Sequence, residues 1–173
     1  MKIKLKPWHK EDASSLARTL SNQKILNNLR DGLPYPYTKD DALHYIDAIL
    51  QADTNNVFAF AITVNDKIIG NISITRGNNI HFRTGELVYY IDEHYWGQGI
   101  MSNAIGQICN YVFLHSDIIR IYAEPFSYNI ASCKALEKNG FICEGVLRKN
   151  AIKNGKVIDM KMYSLIKDDK EIE

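Results

Sequence analysis

Glu86-Leu87-Val88-Tyr89-Tyr90-Ile91-Asp92-Glu93-His94-Tyr95-Trp96-Gly97-Gln98-Gly99-Ile100-Met101-Ser102 is the segment from which the architecture follows. Its first half is a nearly continuous apolar run, and it predicts a central strand from Thr84 to Asp92 that is buried on both faces. Its second half carries glycines at 97 and 99 ahead of a helix predicted from about Ile100 to His115, with Ile100, Ala104, Ile108, Val112 and Phe113 turned inward. A strand, a glycine turn and a helix in that order gather backbone amides where the helix dipole is positive, which suits a pyrophosphate. Two glycines at such a turn serve a tight structural connection equally well. A dinucleotide fingerprint would place a third glycine where Ser102 stands, and a P-loop would want Gly-Lys-Ser/Thr after a longer spacer.

Upstream of this segment, Lys2 to Lys6 alternates as a strand does, and Glu11 to about Leu20 sets Ala13, Leu16, Ala17 and Leu20 on one helical face. The prolines of Gly32-Leu33-Pro34-Tyr35-Pro36-Tyr37 exclude a helix there and leave a loop with two aromatic side chains. Thr38 caps a second helix that runs to about Ala52. Val57 to Val64 and Lys67 to Ile74 form a hairpin across Asn65-Asp66, and a polar Gly77-Asn78-Asn79 connection leads into the central strand. Downstream come a strand from Ile118 to Glu124 and a helix from Asn129 to Asn139, capped by Asn129 and stopped by Gly140. A final hairpin pairs Phe141 to about Asn150 with Lys156 to Ile166 around Asn154-Gly155, and the charged tail from Lys167 to Glu173 is expected to fray. The order βααβββαβαββ predicts an α/β fold, a mixed sheet of about seven strands flanked by helices, in one domain over residues 1–173.

Composition narrows the function. Lysine and arginine total 21 against 20 acidic residues, and a net charge of +1 offers no general attraction to nucleic acid. The three cysteines, Cys109, Cys133 and Cys143, have no C-x-x-C pairing, so neither a disulfide framework nor a metal site is expected. The N-terminal stretch alternates basic and apolar residues, unlike a signal peptide, and no apolar run is long enough for a bilayer; a cytoplasmic protein without a membrane partner is expected.

Blocks around the glycine turn complete a pattern. Besides Glu86 to Ser102 there are Asn129-Ile130-Ala131-Ser132 through Glu137-Lys138-Asn139-Gly140-Phe141, and Glu144-Gly145-Val146-Leu147-Arg148 with Gly155, Asp159 and Tyr163-Ser164-Leu165. In this order the chain resembles the GNAT family of N-acetyltransferases, and within it the branch that acetylates the N-terminal alanine or serine of ribosomal proteins. The loop Leu33 to Thr38 resembles that branch's substrate-side loop. The resemblance implies a single-domain GNAT fold and acetyl-CoA as cofactor. It places the pyrophosphate on the amides of Trp96, Gly97, Gln98, Gly99, Ile100, Met101 and Ser102, and the pantetheine between two splayed central strands. His94 stands where the family's loop motif usually starts with Gln or Arg.

Direct attack of an amine on a thioester needs a base, an oxyanion donor and a proton for the departing thiolate. Glu86, whose partial burial on the central strand would raise its pKa, is the preferred base; Glu93 beside the cofactor loop is its rival, and either is also readable as a surface carboxylate. The resemblance implies a backbone amide around Tyr90 or Ile91 for the oxyanion. It also implies that the tyrosine acid of many relatives is replaced by Leu136, with Ser132 as the branch's substitute donor. Ser132 reads equally as a second capping hydroxyl, and Asn129 as a pantetheine contact or a cap. Cys133 reads as packing. Tyr35, Tyr37 and Trp96 either shape the acceptor cleft or form a hydrophobic surface cluster. The expected acceptor is a primary amine, either a protein N-terminus or a small molecule such as a polyamine, an amino acid or an antibiotic, handled by a monomer or homodimer. The missing tyrosine and the altered His94 also admit a non-catalytic CoA-binding module.

Overall fold

The computed structural model describes residues 1–168. Seven strands form one mixed sheet: β1 (Ile3–Pro7), β2 (Val57–Val64), β3 (Lys67–Arg76), β4 (Thr84–Ile91), β5 (Arg120–Ala123), β6 (Ile142–Lys153) and β7 (Lys156–Ile166), in the spatial order β1-β2-β3-β4-β5-β7-β6. Neighbours are antiparallel except β4 and β5. The helices are α1 (Ala13–Leu20), α2 (Gln23–Leu26), α3 (Lys39–Gln51), α4 (Ile100–His115) and α5 (Ile130–Glu137). Apolar residues of α4 and α5 join one core with β2 to β5, while α1, α2 and α3 join Trp8, Ala61 and Ile68 in a second core.

Local chemistry explains most of these elements. Both tight hairpins turn on consecutive residues of positive φ, Asn65-Asp66 and Asn154-Gly155, matching the right-handed twist of the strands they join. Thr38 Oγ1 accepts from Asp41 N–H at 3.2 Å while the Asp41 carboxylate accepts from Thr38 N–H at 2.8 Å, a closed capping box at α3. The expected helix from Glu11 opens instead as a 3-10 turn, Lys10–Asp12, before α1. The four-residue α2 escaped the sequence pattern; Asn22 caps it by accepting from Lys24 N–H. At the C-terminal end, the expected frayed tail falls largely outside the described residues.

The expectation that β4 is buried on both faces needs correction. It is the middle strand of seven, yet Val88 is 40% exposed, and Tyr89 and Tyr90 are only partly covered. Pairing with β5 covers only Thr84 to Glu86 against Arg120 to Tyr122, after which the strands part. The strand expected from Ile118 to Glu124 is correspondingly shortened to Arg120–Ala123. Pro125, which has no N–H to donate, follows at the end where the gap opens. The apolar run of β4 thus lines an opening as well as a core. No helix among the described residues is long and apolar enough to cross a membrane, and none of their His, Cys, Asp and Glu side chains cluster as a metal would require.

Candidate active site

A cleft of about 880 Å³ fills the space where β4 and β5 diverge. Strand alternation gives it two sides. Glu86, Val88 and Tyr90 share one face of β4 with Asn71 and Ser73 of β3, the face covered by α1 and α3, while Leu87, Tyr89 and Ile91 face α4 and α5. The backbone follows the same period. Asp92 N–H donates to Ile69 C=O at 2.7 Å, so the amide of Tyr90 also turns to β3, and those of Tyr89 and Ile91 turn into the gap beyond the last β5 pair. Of the two amides considered for an oxyanion, only that of Ile91 is directed into the gap, and Tyr89 joins it.

At the end of β4 the chain makes a 3-10 turn, Glu93–Tyr95, and reaches the glycines. Gly97 and Gly99 have φ of +73° and +74°, and a Cβ at either would meet nothing; their requirement is conformational rather than spatial. Trp96 N–H donates to Glu93 C=O and Asn103 N–H to Gly99 C=O, whereas the amides from Gly97 to Ser102 find no protein acceptor among the described residues. Trp96 is therefore removed from the expected set of free amides; its indole Nε1 instead donates to Ile91 C=O at 3.0 Å, tying the loop to the strand. This row of unpaired donors at the N-terminus of a sixteen-residue helix fits an anionic group. The Gln98 side chain donates to His94 C=O, and His94 itself is exposed and bonded to Asp92. Asn139 fastens the first turn of α4 to α5 by donating to Ser102 C=O at 2.8 Å, an approach that leaves no room for a Cβ on Gly106, 2.9 Å from Asn139 Oδ1.

On the α5 side, Asn129 Oδ1 accepts from Ser132 N–H at 3.2 Å, and both residues line the cleft. Ser132 Oγ lies 2.7 Å from Tyr89 Oη. Burial pushes the Tyr89 phenol well above its ordinary range, so it stays protonated. A hydroxyl pair thus joins β4 to α5, and Leu136 is buried in the core beyond it. Cys133 is buried in the α4–α5 core.

On the α1–α3 side, Glu86 meets Arg30 Nη2 at 2.5 Å, and the same nitrogen reaches Glu124 Oε2 at 3.4 Å. Asp31, the neighbour of Arg30, pairs with the buried Lys153 at 2.5 Å. Glu93 stands apart from the cleft lining and pairs with Lys24 at 2.9 Å, a hydrogen bond that holds its carboxyl below the usual range. Tyr37 lines the cleft, whereas Tyr35 is 60% exposed and does not. Tyr45, pushed up to about 12 by burial, also lines the cleft, and its hydroxyl donates to Asn71 Oδ1.

Sequence reasoning missed Arg30, Glu124, Tyr89, Asn71 and Asn139. Two carried a signal: Asn71 interrupts the apolar strand Ile68 to Ile74, and Tyr89 is out of phase with Glu86 on a period of two.

Residues 2–142 match the family model of an acetyltransferase (GNAT) domain. The chain is 31% identical over 109 residues to the ribosomal-protein-serine acetyltransferase of Escherichia coli (strain K12), covering 63% of this chain and 60% of that protein. The crystal structure of the ribosomal-protein-S5-alanine acetyltransferase from Vibrio fischeri superposes with a TM-score of 0.87 at 25% identity, covering 98% of this chain and 95% of that one. A spermidine N-acetyltransferase from Vibrio cholerae, solved with CoA and spermine, shares the fold with a TM-score of 0.82 at 21% identity, covering 99% of this chain and 98% of that one.

Proposed function

The chain belongs to the GNAT family of acetyltransferases and is an acetyl-CoA-dependent N-acetyltransferase, and from that premise we propose that its acceptor is the α-amine of a protein N-terminus. The observation that carries this reading is the charge balance on the α1–α3 side. Three carboxylates, Glu86, Glu124 and Asp31, meet two cations, Arg30 and Lys153, which leaves one negative charge. One unbalanced charge draws in one α-ammonium, whose proton passes to Glu86 through water as the neutral amine moves on to the thioester, and it does not neutralise the several charges of a polyamine. The relatives named for a ribosomal-protein serine and an S5 alanine fit such an acceptor. With a net charge of +1, the chain must recognise it locally in the cleft and not by bulk attraction.

Acetyl-CoA supplies the acetyl group as a thioester open to attack by a neutral amine. The amides of Gly97 to Ser102 hold its pyrophosphate, and Asn129 flanks the pantetheine path while capping α5. Tyr89 and Ile91 amides, facing the gap, donate to the thioester oxygen as negative charge builds there. Glu86 is the base; Arg30 swings aside, and water carries the proton across the three residues, about 10 Å along the strand, between Glu86 and Tyr89. Tyr89 Oη and Ser132 Oγ share a hydrogen bond in which either can donate; with Tyr89 as donor, the hydrogen of Ser132 is turned toward the cleft and the departing sulfur. Tyr37 forms part of the acceptor wall.

The test follows thiol release from acetyl-CoA with two acceptors, a seryl or alanyl peptide and spermidine. The peptide is expected to react with a kcat/KM at least about tenfold higher, the worth of one well-placed contact. Preference for spermidine overturns the N-terminal acceptor, and absence of acetyl-CoA binding by calorimetry overturns the placement of the cofactor.

A further inference from the structure

Asn71 lies in the middle of β3 and is 3% exposed. Its carboxamide oxygen accepts from two donors, Trp8 Nε1 at 2.9 Å and Tyr45 Oη at 3.2 Å. An indole N–H can only donate, and Tyr45 is protonated at any working pH, so the atom facing them is the oxygen and the amide cannot flip. The NH2 end is thereby fixed as a donor. It has no protein acceptor among the described residues, and Asn71 lines the cleft. The Nδ2 end opens onto the cleft, where water satisfies it until something displaces that water, and an amide held this firmly by its oxygen with its donors toward the opening points to a ligand.

Position says which part of a ligand. Asn71 is opposite Tyr90 in the β3–β4 register, between the two gap-facing amides of Tyr89 and Ile91, one strand spacing from them. It is therefore beside the attacked carbonyl but on the acceptor's side. Its cleft neighbours Tyr37, Tyr45, Ser73 and Tyr90 bring no charge. The carboxylates all lie further along, toward Glu86. What Asn71 is built to meet is a neutral oxygen a few ångströms behind the reacting nitrogen, and the carbonyl of an α-amino acyl residue places an oxygen there. A polyamine has none.

We infer that Asn71 is the specificity-determining residue of the acceptor site, its Nδ2 donating to the carbonyl oxygen of the acceptor's first residue. The inference rests on the reading of the acceptor as a peptide N-terminus and adds the group that recognises it.

The test compares a seryl peptide with the same peptide whose first amide is replaced by a trans-alkene, which keeps the shape and loses the oxygen. The wild-type enzyme is expected to prefer the amide by at least about tenfold in kcat/KM, since a site built to donate rejects a partner that cannot accept. Asn71→Asp keeps the bonds from Trp8 and Tyr45 and replaces the NH2 by oxygen; its preference for the amide is expected to fall at least about tenfold below that of the wild type, with the KM for acetyl-CoA unchanged. The ratio of the two preferences cancels the difference in intrinsic reactivity between the acceptors. Equal preference in wild type and Asn71→Asp overturns the assignment. Should Asn71→Asp fail to fold, Asn71→Ser is read by the same ratio, and a preference equal to that of the wild type overturns the assignment. If the wild type acetylates spermidine and neither peptide, it is the N-terminal acceptor itself that falls, and the carbonyl contact with it.

Discussion

On the α4–α5 side of β4 the groups assigned to the cofactor are mostly backbone: the amides of Gly97 to Ser102, those of Tyr89 and Ile91, and one hydroxyl pair. On the α1–α3 side the groups assigned to the acceptor are side chains from separate parts of the chain, Arg30, Asn71, Glu86 and Glu124. A backbone donor needs only the right φ and ψ, so one contiguous loop builds the first half, and its specificity survives changes of side chain. The second half exists only after distant segments have met, and a single substitution can re-aim it.

The largest effect belongs to the side-chain half. Glu86→Gln is expected to lower kcat by about 100-fold, the worth of a positioned base, while calorimetry finds acetyl-CoA affinity unchanged. Comparable loss of binding and turnover would mean that the two halves are not separable. Next comes the backbone half. Gly99→Val forces a β-branched residue to φ near +74°, costing about 1–2 kcal/mol in the loop. CoA affinity is expected to fall about tenfold; unaltered binding would remove the loop from the cofactor site.

The smallest effect concerns the short strand β5, the far wall of the gap. Arg120 and Ser164 hydrogen bonds to Glu144 bring its carboxyl down to about 2. A carboxyl depressed in the folded state contributes stability above its ordinary value of 4.5, and that contribution is lost as pH falls toward about 2. Glu144 is 41% exposed, so Glu144→Gln should lower the melting temperature at pH 7 by only about 2 °C. The difference from wild type should close in melts run at successively lower pH below about 4.5, and a difference independent of pH would assign the loss to packing.

These halves also differ in how far they can be read from sequence. The glycine turn, the helix after it, the caps at Thr38 and Asn129 and both hairpin turns are set by residues within a few positions of one another, where φ preference and side-chain-to-backbone bonds act. Arg30 meets Glu86 across 56 positions and Glu124 across 94, and Asn71 meets Trp8 across 63. No local preference encodes such meetings. The one error about β4 had a different origin: apolar side chains that line a cleft give the same pattern as those in a core, and only the early end of its pairing with β5 tells them apart.

The parting of β4 and β5 also bears on the order of events in turnover. A cleft lined from both faces of the sheet gives room for donor and acceptor to be resident together. Cys133, the thiol nearest the site in sequence, is packed into the α4–α5 core, where it is not placed to carry the acetyl group. Initial-rate plots at several fixed acceptor concentrations should therefore converge rather than run parallel, and free CoA should compete with acetyl-CoA while leaving the acceptor's own site accessible.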